Sequence, residues 1–431
     1  MNLLKLPSLK KISGRWTPPP DKSILHRVLL LGSVASGTTR IQNWYPSEHL
    51  LSTFNLLKGL GVQSTLDGSA LVMEGRGKFG LQNPKQILDA RNSGTALRLL
   101  SGLLVGQRFS SVITGDASLK NRPMGELIEA LQQMGAEIRA EQRDDKAPLW
   151  IEPVKTKLRG IQFESALPSA QVKSALLLAA LYADGITEIK EKLLTRDHTE
   201  RWLKEFGADI SVKEGVICLN PSNLKGCEGV IPGDLSSASF LLTLSLLLPN
   251  SKLEVNSVGL NPTRIGILEV IQRMGGKIQC FIEEETPHGE PSGTIIAESS
   301  QLKAITIDEP LMIKSIDEFP LMVLLATQAI GETKICGIRP LRYKESDRVL
   351  SISSGLSRMG AEIEVHQDVL YVRGPTPLKG ADVQGFSDHR IVMTLVLASL
   401  LATGETKIDS LHSIRYSFPD FLEVLLKLGH L

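Results

Sequence analysis

The sequence predicts an α/β chain built from six copies of one unit, and three observations carry that prediction. A helix-ending motif recurs as LKGLGV ending at Val62, LQQMGAEI at 131–138, LKEFGADI at 203–210 and IQRMGGKI at 271–278. It returns as LSRMGAEI at 356–363 and, truncated, as LLKLGHL at the end of the chain. A second motif interleaves with the first: SVASGTTRI, LYADGITEI, LLLPNSKLEV, TQAIGETKI and LATGETKI, with LLVGQRFSSVI a looser copy. The glycines of the first motif (Gly61, Gly135, Gly207, Gly275, Gly360 and Gly429) recur every 68 to 85 residues, so six units account for the whole length.

Each element has its reason. In the first motif, Leu and Met at helical spacing make an amphipathic helix, and the glycine supplies a left-handed residue that ends it. Alternation then begins, as in Ala361-Glu362-Ile363-Glu364-Val365, the period-2 pattern of a half-buried strand. In the second motif a very apolar helix passes through a turn at Gly37, Gly106, Gly185, Gly331 or Gly404 into a strand, with Asn250 in glycine's place once. A unit is thus helix, strand, helix, strand. Pro18-Pro19-Pro20 and Pro232-Gly233-Asp234 block helix continuation at two points. They suit two crossings between lobes: residues 1–20 plus 234–431 in one, 21–233 in the other, with a ligand cleft between them.

At 431 residues, with 42% hydrophobic and 22% charged residues, the chain has material for a large core. Lys and Arg number 48 against 47 Asp and Glu, a net charge of +1, which argues against a general polyanion binder. Four scattered cysteines (Cys218, Cys227, Cys280, Cys336) form no CxxC pair, as suits a reducing cytoplasm. The N-terminal stretch MNLLKLPSLKKISGRW lacks the apolar run of a signal peptide. The longest apolar stretches, such as Ile391–Ala402, fall short of the ~18–20 residues of a membrane span.

Chemistry-bearing residues gather in short polar runs before apolar helices: residues 21–27, 91–95, 121–123, 169–173, 195–200, 315–318, 344–348 and 388–390. Each mixes cations with small hydroxyl or amide residues, the composition of an anion site at a helix N-terminus. Lys22, Arg27, Arg122, Arg196, Lys344, Arg348 and Arg390 supply seven cations. Two phosphates and two carboxylates would carry about −5 to −6, a matching magnitude. Gly75-Arg76-Gly77-Lys78-Phe79-Gly80 fits GxGxxG, but the LQNPKQ that follows starts no helix, so a dinucleotide site is not expected. No Walker motif exists, and His198 and Glu200 lack the companions of a metal site, so a structural role is expected for them.

At these runs the chain resembles the 5-enolpyruvylshikimate-3-phosphate synthase family, the 3-phosphoshikimate 1-carboxyvinyltransferases. The likeness runs through DKSxxHR, NSGTALRLL, GDASLKNRPM, SAQVKSALLLA, TRDHTE, PGDLSSASF, IDEFP, LRYKESDR, SDHR and SFPDF, in forms similar to the family's second class. The resemblance implies the two-lobed enolpyruvyl transferase fold, an inside-out α/β barrel with three βαβαββ repeats per lobe. It implies transfer of the enolpyruvyl group of phosphoenolpyruvate to the 5-hydroxyl of shikimate 3-phosphate, in the pathway to chorismate and the aromatic amino acids. No cofactor and no metal are expected, nor a nucleic-acid or membrane partner, and the enzyme is expected to be a cytoplasmic monomer.

By matching motif, Lys22, Ser23, Arg27, Ser169, Ala170, Gln171, Thr195, Arg196, Asp317 and Lys344 would hold shikimate 3-phosphate. Lys22, Asn92, Gly94, Arg122, Gln171, Arg348 and Arg390 would hold phosphoenolpyruvate. Asp317 is the expected base for the 5-hydroxyl and Glu345 the acid and base at the methylene carbon, with Lys22 and His389 as catalytic assistants. The chain departs from the family pattern at Pro20, Leu25, His49, Arg91 and Tyr416. The rival readings are the UDP-N-acetylglucosamine enolpyruvyl transferase and a non-catalytic relative. The first needs a cysteine in the loop at Gly115–Met124, which has none.

Overall fold

Six apolar helices organise the chain: Lys22–Val34, Gly94–Leu104, Ala170–Ala180, Leu235–Leu247, Phe319–Thr327 and His389–Leu401. The computed structural model describes residues 2–3, 9–141, 145–165, 168–283 and 289–430. Residues 1 and 4–8 of the N-terminal stretch, and Leu431 of the last motif copy, lie outside the described residues. All nine residues of Phe319–Thr327 are buried, as are Leu235 to Leu246. A helix apolar on every side has nowhere to go but the core. The six amphipathic helices expected from the first motif are Glu48–Gly59, Gly125–Gln133, His198–Glu205, Gly266–Arg273, Arg348–Arg358 and Phe421–Leu428.

The chain forms two compact domains. The first is Pro20–Ile231 with Glu285–Glu290, of which Gly289 and Glu290 are described; the second is Met1–Pro19, Pro232–Glu284 and Pro291–Leu431. Each has its own apolar core around three of the apolar helices.

Among the described residues five sheets have four strands and one has three. In the repeat at residues 88–152, Leu88–Asp89 leads through its helix to Ser111–Thr114, parallel to it, and a hairpin of Glu137–Ala140 and Leu149–Glu152 completes the sheet. The helical crossover is what permits the parallel pair. The first repeat of each domain borrows its leading strand. Glu228–Gly229 pairs with Arg40 and Ile41 in the first domain, and Ser13–Trp16 pairs with Lys252–Val255 in the second. Asn2–Leu3 pairs antiparallel with Lys407–Ile408 in the three-stranded sheet.

The turns mostly follow the motif. Gly61, Gly135, Gly207, Gly275 and Gly360 take positive φ, but Gly429 ends its helix at φ −78° and His430 takes the left-handed conformation instead. Gly106 is also not left-handed: a Cβ there would meet the Tyr182 ring at 2.2 Å, so close packing and not conformation calls for glycine. The strand Glu362–His366 is less buried than alternation suggested, because it is the outer strand of its hairpin and its side chains are mostly exposed.

Candidate active site

Of the eight polar runs expected before apolar helices, those at 21–27, 91–95, 169–173, 315–318 and 388–390 lie there, whereas those at 121–123, 195–200 and 344–348 lead into the amphipathic helices Gly125–Gln133, His198–Glu205 and Arg348–Arg358. The six apolar helix starts leave free N–H groups that need acceptors. Five of the six starts are capped by a side chain: Asp21 accepts from Ile24 N–H, Ser93 from Ala96, Ser169 from Val172, Asp234 from Ser236 and Asp388 from Arg390. The sixth, Phe319–Thr327, follows a 3-10 turn at Ile316–Glu318. Ser169 Oγ, expected at the substrate, accepts the Val172 N–H at 3.3 Å and keeps its own O–H to donate.

In the first domain, contacts tie the predicted residues together. Arg27 is buried; its Nε donates to Thr199 Oγ1 at 2.7 Å, Nη1 to the Ser23 carbonyl at 2.8 Å and Nη2 to Ser174 Oγ at 2.9 Å. Burial, and then Arg196, lower its pKa to about 10, so it stays charged at neutral pH. It joins the helices that start at Lys22, Ala170 and His198. Lys22 Nζ donates to His49 Nδ1 at 3.1 Å. An ammonium only donates, so the imidazole accepts through that nitrogen. Gln171 Nε2 donates to Thr95 Oγ1 at 3.0 Å and its Oε1 accepts from Arg98 Nη1 at 3.2 Å. Arg122 reaches the Asn92 side-chain oxygen at 3.3 Å, and Asn92 donates to Asp116 at 2.7 Å. A Cβ on Gly94 would lie 2.8 Å from Arg122 Nη1 and 2.9 Å from Arg98 Nη1, so only glycine lets the two guanidiniums flank that backbone. Thr195 and half-buried Arg196 complete the set.

In the second domain the cations do not stand alone. Arg348 is fully buried and faces three carboxylates: Asp388 at 2.8 Å, Glu345 at 2.6 Å and Asp317 at 3.6 Å. Burial works against its charge, but Asp388, Glu345 and Asp317 raise its pKa above the ordinary arginine value. Arg390 donates to the Asp317 carbonyl at 2.9 Å and to Ser236 Oγ at 3.1 Å, and lies 3.6 Å from the carboxylates of both Asp317 and Glu318. Arg264 donates to Glu318 at 2.8 Å and to Ser236. The side chains of Asp317 and Glu345 keep 17% and 16% exposure, so the two carboxylates proposed for proton transfer sit at one guanidinium with a face left open. His389 is buried beside Asp388, its Nδ1 3.9 Å from that carboxylate. Lys344 is half-buried.

The sequence count of seven cations therefore needs its partners added, since Arg348 and Arg390 lie among acids. Sequence reading gave no role to Arg98, Arg264, Ser236 and Glu318. The run Asn261-Pro262-Thr263-Arg264 carried a signal, a cation in a short polar run before the helix Gly266–Arg273. Among the described residues no three ligating side chains gather as a metal site would require, and no helix is long and apolar enough to cross a membrane.

The arrangement defines a class first. The enolpyruvyl transferase NikO from Streptomyces tendae superposes with a TM-score of 0.75 at 18% identity, over 97% of this chain and 95% of that one, which establishes the enolpyruvyl transferase fold. EPSP synthase from Acinetobacter baumannii superposes with a TM-score of 0.85 at 36% identity, over 98% of this chain and 97% of that one. The 3-phosphoshikimate 1-carboxyvinyltransferase of Geotalea uraniireducens (strain Rf4) is 42% identical, over 97% of each chain. The family model for EPSP synthase (3-phosphoshikimate 1-carboxyvinyltransferase) matches residues 7–425. The chain belongs to the EPSP synthase family, and it is a transferase enzyme of the shikimate pathway. The fold and the activity expected from the sequence are both borne out.

Proposed function

We propose that the chain transfers the enolpyruvyl group of phosphoenolpyruvate to the 5-hydroxyl of shikimate 3-phosphate and releases inorganic phosphate, acting as a monomer in the cytoplasm. Free, scattered thiols suit that compartment. The observation that carries the residue assignment is the placing of Asp317 and Glu345 on the same buried guanidinium, Arg348.

The reaction removes a proton from the 5-hydroxyl and adds one to the methylene carbon of the donor, then reverses the second transfer as phosphate leaves. Asp317 takes the hydroxyl proton. Arg348 and Arg390 beside it favour its ionised form, as a base requires. Glu345 serves the methylene carbon, with Lys22 and His389 assisting. A carboxylate pair can divide such work only where the two environments differ. Here they do: Asp317 lies 3.6 Å from the guanidiniums of both Arg348 and Arg390, while Glu345 is hydrogen-bonded to Arg348 at 2.6 Å. Lys22, Ser23, Arg27, Ser169, Ala170, Gln171, Thr195 and Arg196 hold shikimate 3-phosphate, with Asp317 and Lys344 at its ring hydroxyls. Asn92, Gly94, Arg122, Arg348 and Arg390 hold phosphoenolpyruvate, shared with Lys22 and Gln171.

Phosphate release is measured with phosphoenolpyruvate and shikimate 3-phosphate, and separately with UDP-N-acetylglucosamine as acceptor. Turnover with the first acceptor alone is expected. Turnover only with the second would overturn the assignment.

A further inference from the structure

Beneath the Ser169–Gln171 segment lies a buried ionic network that the reaction above does not use. Lys173, in the first turns of its helix, is 3% exposed. Its Nζ lies 2.8 Å from Glu191 Oε2, 2.7 Å from Glu200 Oε1 and 3.4 Å from the Thr195 carbonyl. Three acceptors match the three N–H bonds of an ammonium. Glu191 ends the strand Thr187–Glu191, and Glu200 sits in the first turn of His198–Glu205. One ammonium therefore joins three elements around the loop that carries Thr195 and Arg196. The second Glu191 oxygen accepts the Thr195 hydroxyl at 2.5 Å.

Burying two carboxylates and an ammonium costs several kcal/mol of desolvation per ion, and apolar side chains of the same size would join these elements at least as stably. The ions give something apolar packing does not, which is direction. A charged hydrogen bond fixes Thr195 at one rotamer and one height, and Arg196 is its neighbour in the chain. We infer that Lys173 and Glu191 are positioning residues for the phosphate of shikimate 3-phosphate: they touch no substrate, and they hold the Thr195–Arg196 segment where the phosphate binds. The inference rests on the substrate assignment under Proposed function.

The test is steady-state kinetics of the whole enzyme with Lys173→Met and Glu191→Gln, each with its melting curve. Glu191→Gln keeps the shape and removes a charged hydrogen bond, so the KM for shikimate 3-phosphate should rise about 10-fold or more. The KM for phosphoenolpyruvate and kcat should stay within about 2-fold, the pattern of lost uniform binding. A merely structural role would shrink the active fraction, lowering kcat and leaving KM in place. An unchanged KM for shikimate 3-phosphate, or an equal rise in both KM values, overturns the inference. If Lys173→Met does not fold, Glu191→Gln decides alone. Wild-type enzyme that does not turn over shikimate 3-phosphate overturns the substrate assignment instead. Inorganic phosphate then decides the network: weaker binding by Glu191→Gln than by wild type sustains it, and equal binding overturns it.

Discussion

Arg348 shows how one side chain sets the chemistry around it. Its guanidinium is anchored by fully buried Asp388, which leaves its other edges to Glu345 and Asp317. Asp317→Asn keeps the shape and removes the base. Turnover should fall by well over ~100-fold with the fold intact, as measured by phosphate release beside a melting curve; near-normal turnover would remove Asp317 from the role. A second residue, His26, is buried with its Nδ1 2.7 Å from Thr53 Oγ1. Burial, then Lys22 and Arg27, push its pKa well below the ordinary 6.5, against a smaller pull from Asp21. The native imidazole thus stays neutral while the unfolded one takes up a proton below about 6.5, so unfolding binds protons and stability falls as pH drops from 7 to 5. His26→Gln should flatten that slope in urea titrations at the two pH values. Equal slopes would show that His26 does not titrate on unfolding.

At the scale of elements, helix starts and turns were legible because they are local: a cap and the amide it serves lie two or three residues apart. The long-range polar contacts were not. Arg264 meets Glu318 across 54 residues, and Lys22 meets His49 across 27. Which partner a charge finds there depends on how helices pack, and no local pattern records it. His49 was visible as a departure from the family pattern, but not as the acceptor for Lys22. The helix pair Gly94–Leu104 and Ala170–Ala180 gives a direct test of packing. A Cβ on Gly102 would lie 2.2 Å from the Ala175 carbonyl oxygen and 2.7 Å from its Cα, both backbone atoms that cannot turn aside. Gly102→Ala should therefore destabilise the protein by about 1–3 kcal/mol through separation of the helices. Gln171, in the first turn of the second helix, contacts Thr95 on the first, so substrate binding should weaken as well. Unchanged stability in denaturant titration would show that the crossing has slack.

For the whole molecule, the repeat count and the grouping of a short N-terminal strand with residues 234–431 were readings of the sequence, but the pairing partners of the borrowed strands were not. Strand pairing across 239 residues leaves no periodic trace, and Ser13–Trp16 looks locally like any short extended segment. The two domains differ in what this exchange demands of them. The first takes its borrowed strand, Glu228–Gly229, from within Pro20–Ile231. The second depends on the N-terminal segment, where Ile12 is fully buried and Trp16 stacks on Phe418 at 5.8 Å. A fragment of residues 232–431 should melt without cooperativity, and a peptide of residues 9–19 should restore a sharp transition, read by circular dichroism. A cooperative melt of the fragment alone would make the borrowed strand dispensable.

The company kept by the second domain's guanidiniums has a thermochemical consequence. Asp234, Asp317, Glu318, Glu345 and Asp388 outnumber Arg264, Arg348 and Arg390, and still do with Lys344 added. An arriving anion competes with Glu345 for the Arg348 N–H groups, and two negative groups sharing one partner favour uptake of a proton by Glu345, the group proposed to give one to the methylene carbon. Substrate capture should draw protons from the solvent, so the heat of binding by calorimetry should change with the ionisation heat of the buffer. A heat that is the same in every buffer would mean that Glu345 stays ionised and simply turns away.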